Sequence, residues 1–184
     1  MAALGSLLRR RDPHRDAAAA LYAGAVAAAR APSLFADLGV PDTLDGRFDS
    51  LSLFVILLIE RLRRDAEPGP ALAQSVFDAM FRDMDRSLRE SGVGDPSMAR
   101  QMRAMWNAFH GRALAYGAAL AAGDAAALAD ALARNVWRGA PPPDGAAAVL
   151  AARALADAGH LRGQPLDRFV AGAAGFLPRT EATR

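Results

Sequence analysis

A chain of 184 residues with no cysteine and a formal charge of +2 is long enough to bury a core as one domain. It offers no disulfide, thiolate metal site or cysteine nucleophile. All 22 basic residues are arginine, set against 20 acidic ones, so the broad cationic face that nucleic acids require is missing.

Helical periodicity runs through the sequence, and no stretch of alternating β-branched residues reads as a strand. No secretory leader is expected from "MAALGSLL", which lacks a charged start and runs into arginines. Residues 1–15 form a basic segment with a helix expected over Ala2–Arg10; its charge reads first as a solvated face and second as a weak attraction to anionic lipid. An alanine-rich helix follows over Asp16–Arg30, with Asp16 as its N-cap. Pro32 opens a short helical turn that Gly39 ends, and Pro41 stiffens the loop beyond it. Asp45 is expected to cap a helix from Gly46 to Arg64, which carries the apolar run Leu51–Ile59. That run is nine residues long, against the roughly 20 needed to cross a bilayer.

After the turn "EPGP", Leu72, Val76, Phe77, Met80, Met84 and Leu88 mark one face of an amphipathic helix. Gly92 should stop it, with Asp95 capping the next helix and Pro96 opening it. That helix shows Met98, Met102, Met105, Trp106 and Phe109 on one face. Gly123 and Asp124 form a further stop and start before Leu128, Leu132 and Val136. The break "GAPPPDG", Gly139–Gly145, is the strongest in the chain, and shorter helices are expected near Asp144–Ala158 and Pro165–Gly175. The expected fold is all-α, a compact bundle of about seven or eight helices. Residues 16–138 would be the main helical domain, with 139–184 a proline-rich link and C-terminal helices packed on it.

Candidate chemistry is sparse. Calcium binding at the acidic loop fails: with Gly46 as the loop glycine, Pro41 and Ser52 fall where oxygen ligands belong. Asp83 and Asp85 are two apart on a helix and do not face each other. Pairs four apart, Asp78–Arg82, Asp85–Arg89 and Arg86–Glu90, read instead as a solvated charged face. His14, His110 and His160 form no spaced ligand pair, and no phosphate loop, dinucleotide fingerprint or nucleophile elbow is present. No metal, cofactor or catalytic residue is expected. The methionine stripe and the helix around Phe54, Leu57 and Leu58 read first as core. If one side stands open, Phe54, Leu57, Leu58, Met98, Met102, Met105 and Trp106 would bind an apolar helical client.

Three stretches carry a resemblance: "GVPDTLDGRFD" (Gly39–Asp49), "FDAMFRDMDRSLRESGVGD" (Phe77–Asp95) and "GRALAY" (Gly111–Tyr116). Together they resemble the ubiquinol–cytochrome c chaperone family, in order and spacing, from roughly Tyr22 to Trp137. The resemblance implies an assembly factor for the cytochrome bc1 complex that binds newly made cytochrome b or its precursor and carries no catalytic residues. Mitochondrial relatives work with a small partner protein at the inner membrane. This chain looks like a bacterial member, in the cytoplasm or peripheral on the cytoplasmic face of the inner membrane. One departure stands out, since the family's histidine five residues past the "GRFD" helix start is Phe54 here.

The motif residues expected to shape the fold or meet a partner are Pro41, Asp42, Asp45, Gly46, Arg47 and Phe48 in the first stretch. In the second they are Asp83, Asp85, Arg86, Arg89, Glu90, Gly92, Gly94 and Asp95, and in the third Gly111, Arg112 and Tyr116. The first stretch reads as a rigid helix-initiating loop in which Asp42 or Asp45 satisfies free amides and Arg47 pairs with Asp83 or Asp85. The competing reading is a helical enzyme or small-ligand protein with an Asp/Arg-lined polar pocket.

Overall fold

Leu51–Ile59 has apolar residues at nearly every position, so a helix carrying it is stable only where other helices surround it. The structure, a computed structural model, describes residues 12–138 and 140–178, apart from the side chains of Asp95 and Pro96. Its helices are α1 (Arg15–Ala29), α2 (Pro32–Ala36), α3 (Leu44–Leu62), α4 (Gly69–Glu90), α5 (Asp95–Ala122), α6 (Ala125–Val136), α7 (Ala146–Arg162) and α8 (Leu166–Val170). No strand occurs among the described residues, and the all-α expectation holds. The expected helix Ala2–Arg10 and Gly139 lie outside the described residues.

Helix α3 is the axis, packing against α1, α4, α5, α6 and α7. Leu53 through Leu58 are all at most 2% exposed, and each such side chain contributes about 1.5–3 kcal/mol by leaving water. Two of the polar positions flanking this buried stretch, Ser52 and Arg61, are accommodated locally or by neighbours. The Ser52 hydroxyl donates to Phe48 O (2.8 Å). Arg61 donates to the carbonyls of Leu161 (3.0 Å) and Gln164 (2.8 Å), ending α7, and lies over the Phe169 ring. Within Arg15–Ala36 an 18-residue window reaches a mean hydropathy of 1.2, long and apolar enough to cross a membrane by composition. Its Leu21, Tyr22, Ala25 and Ala28 are buried in the core, so the apolar character serves helix packing.

Several boundaries differ from expectation, each for a local reason. Helix α1 starts at Arg15 with His14 in the N-cap position and no side-chain cap, Asp16 lying inside its first turn, while Asp12 accepts from His14 N–H (2.9 Å) just before it. Helix α3 starts at Leu44 with Thr43 as N-cap, its Oγ1 accepting from Gly46 N–H (3.1 Å). Neither Asp42 nor Asp45 is the cap, and both are instead held by arginines. Thr43→Ala should therefore cost about 1 kcal/mol, read as a lower urea midpoint with an unchanged slope. Helix α5 begins at Asp95, with Gly94 in the N-cap position. Helix α7 begins after Gly145, whose φ of +74° suits glycine alone.

The last expected helix shrinks to Leu166–Val170. Beyond it, the Gln164 side chain holds Gly175 by both its N–H (3.1 Å) and its carbonyl (2.7 Å). Asp157 accepts from Leu177 N–H (3.1 Å). This tail carries Phe176 edge-on to Phe54, with ring centroids 5.3 Å apart, so Phe54, where the resemblance led to the expectation of a histidine, makes an aromatic core contact.

Candidate functional site: an apolar groove beside a buried Asp–Arg cluster

The first turns of α3 meet the end of α4 and the first half of α5, and these helices leave a groove. It consists of two adjoining hollows of about 180 Å³ and 380 Å³. Leu44, Phe48, Leu88 and Met105 line both. Leu51 and Met84 extend the wall of the smaller hollow toward α1, while Ala104 and Ala108 extend the larger along α5. Leu44 is 68% exposed at the lip. Two methionines in the wall give a surface that repacks around differently shaped apolar partners.

The groove's position depends on the loop before α3. Gly46 sits against Pro41 so closely that no side chain fits between them. Arg47 turns back to Asp42 (2.7 Å) and does not reach Asp83 or Asp85. Trp137 Nε1–H donates to Gly39 O (3.1 Å), joining this loop to the chain after α6.

Behind the groove lies a buried ionic cluster. Asp49 is fully buried. Arg112, from α5, donates to its Oδ1 (2.5 Å), and Arg138, just past α6, donates to both oxygens (2.6 and 3.1 Å). The third donor group of Arg138 reaches Asp45 Oδ2 (2.8 Å). The Arg112 guanidinium also lies 5.6 Å from the Phe48 ring centroid, which ties the cluster to the groove floor. Burial pushes the Asp49 carboxyl above its ordinary value, against the hydrogen bond from Arg138 and the charge of both arginines. The Tyr116 hydroxyl and Arg112 Nε are buried here without a hydrogen-bond partner, and burial raises the tyrosine. At the other end of the groove the Tyr22 hydroxyl donates to Asp83 (2.7 Å), and Arg86 also engages Asp83. Burial, then the Asp83 carboxylate, pushes that phenol far up.

The structure disperses the residues expected to meet a client. Phe54, Leu57 and Leu58 are at most 2% exposed, because α3 is enclosed by its neighbours, and Met98 on α5 is 5% exposed. Met105 lines the groove and Met102 is half-buried. Trp106 is exposed but stacks on His110, 3.8 Å between ring centroids, and does not line the groove. Of the motif residues, Asp45, Phe48, Arg112 and Tyr116 converge on the groove and its cluster. Arg89 pairs with Asp85 (2.9 Å) as expected, whereas Arg86 turns to Asp83, away from Glu90, and Asp78 is held by Gln74. Glu90, Gly94 and Gly111 are exposed; Gly92 takes the left-handed turn that ends α4 (φ +76°), and Asp95 begins α5.

Sequence reasoning missed Asp49 and Arg138 as a pair. A lone carboxylate at the head of an apolar helix was the available signal for the first, because a buried charge requires a counter-charge. Among the described residues no three His, Asp or Glu side chains gather as a metal site.

Comparison with known proteins bears on this geometry. Residues 36–176 match the family described as ubiquinol-cytochrome C chaperone. The fold is similar to the crystal structure of the Cbp3 homolog from Brucella abortus, with a TM-score of 0.80 and 37% identity over 92% of this chain and 93% of that one. No curated protein matches.

Proposed function

The chain belongs to the ubiquinol–cytochrome c chaperone family, and from that premise we propose that it holds newly made cytochrome b during assembly of ubiquinol–cytochrome c reductase, without catalysis of its own. The observation that carries the reading is the groove: an apolar, methionine-walled trough with Leu44 at its lip. A bundle of apolar membrane helices, before it is inserted and packed, needs such a surface to keep one face out of water. Docking an apolar helix in a groove is a familiar mode of recognition. The Asp/Arg cluster supports the non-enzymatic reading, because both Asp49 oxygens are taken by arginines. The site of action is the cytoplasmic face of the inner membrane, where cytochrome b emerges.

The test is photo-crosslinking in the native bacterium, with a reactive amino acid at Leu44, Met84 or Met105. Val149, which is 55% exposed on α7, serves as the control position. Cytochrome b adducts at the groove positions and none at Val149 are expected. Equal capture at Val149, or no cytochrome b at any position, would sink the reading.

A further inference from the structure

We propose that Arg138 is the specificity-determining residue of the groove, and that the segment it accepts is an apolar helix bearing an acidic side chain. This rests on the groove being the client site. Arg138 lines the larger hollow with its guanidinium anchored at the rear. Two of its donors are fixed on the fully buried Asp49, and its backbone stands at φ +48°, the left-handed region uncommon for a residue with a side chain. The third donor points along the groove to Asp45, whose side chain is 66% exposed, while that of Arg138 is 43% exposed.

The two partners are unequal. The buried contact sets where the guanidinium stands, whereas an exposed ion pair holds its partner weakly. A carboxylate arriving on an apolar helix would take the place of Asp45 while excluding water, and so gain a stronger, charge-assisted bond.

The remaining charges along the groove favour the same occupant. Asp83 already accepts from Tyr22 and Arg86, and Arg47 is neutralised by Asp42. Arg30, at the far end of the smaller hollow, makes no ion pair among the described residues. The groove lining thus carries Arg30, Arg47 and Arg138 against Asp45 and Asp83, an excess of positive charge with apolar walls between, and each of the two acids already engages an arginine.

The test uses the full chain and labelled helical peptides of leucine and alanine, about 18 residues or five turns long, with one central Glu or Gln. Binding is followed by fluorescence anisotropy on the wild type and on Asp45→Ala, which removes the internal competitor and leaves the Thr43 cap in place. The Glu peptide should bind about three- to five-fold tighter than the Gln peptide, and D45A should widen that ratio by a similar factor. Equal affinity for the two peptides, or a ratio that D45A leaves unchanged, overturns the role of Arg138 and leaves the groove intact as a client site. Failure of both peptides to bind overturns the groove reading as well.

Discussion

Gly46→Ala should destabilise the protein by about 3 kcal/mol or more, a loss of roughly 6–12 °C in Tm for a chain of this size. Helix propensity alone gives the opposite sign, since alanine is favoured over glycine by about 1 kcal/mol inside a helix. Space decides against propensity here. A Cβ at Gly46 would stand 2.0 Å from the Pro41 carbonyl oxygen and 3.0 Å from its carbon. Those are backbone atoms of a proline, so they cannot swing aside as a side chain would. Either the loop or the first turn of α3 must move, and Leu44 and Phe48 move with it. The control is Gly111, also a motif glycine but exposed on α5, where an added Cβ meets nothing within 4 Å. Gly111→Ala should be neutral or stabilising by up to about 1 kcal/mol. Thermal melts of the two variants read the difference directly. A G46A protein that melts with the wild type would mean that loop and helix are not in contact.

The helices were legible because their signals are local. Gly123 in the left-handed region and Asp124 accepting from Ala127 N–H (2.9 Å) form the expected stop and start. The stripe from Leu72 to Leu88 is the buried face of α4, with Phe77 and Met84 only partly covered. The cap of α3 was harder. Asp42, Thr43 and Asp45 are all good capping residues, and the choice depends on how Gly46 packs on Pro41 and where Arg138 arrives from, 93 residues away. The same limit hid the groove. Leu44, Leu88 and Met105 are unremarkable in sequence and become a surface only when three helices diverge. Phe54, Leu57 and Leu58 attracted a client-binding reading because they are strongly apolar, yet the most apolar helix is the one that its neighbours cover first. Arg138 carried no local signal at all, since a left-handed arginine cannot be told from an ordinary one by its neighbours in the chain.

Asp49→Ala should cost about 3–5 kcal/mol, because it leaves Arg112 as a buried cation without its acceptor. Arg112 is only 6% exposed, and its Nε already lacks a partner, so the cluster has no spare acceptor to offer. The cost does not mean that the ion pair is a net source of stability. Burial holds the Asp49 carboxyl above its usual value despite two arginines, so the fold favours the charged form less than the unfolded chain does. Stability should accordingly fall as pH rises from the unfolded value of about 4 through the raised folded value, and be level above it. Replacing both partners with apolar groups, Asp49→Leu with Arg112→Met, should recover most of the loss and abolish that slope. Urea unfolding across a pH series measures both effects. If the double variant is as unstable as D49A, the cluster does stabilise the fold outright. If it recovers, a different reason is needed for keeping an acid and an arginine, Asp49 and Arg112, in the interior. The geometry supplies one: Asp49 is what fixes Arg138 at the groove wall. A recovered double variant should then fold normally yet bind the Glu and Gln peptides alike, separating the role of the cluster in recognition from any role in stability.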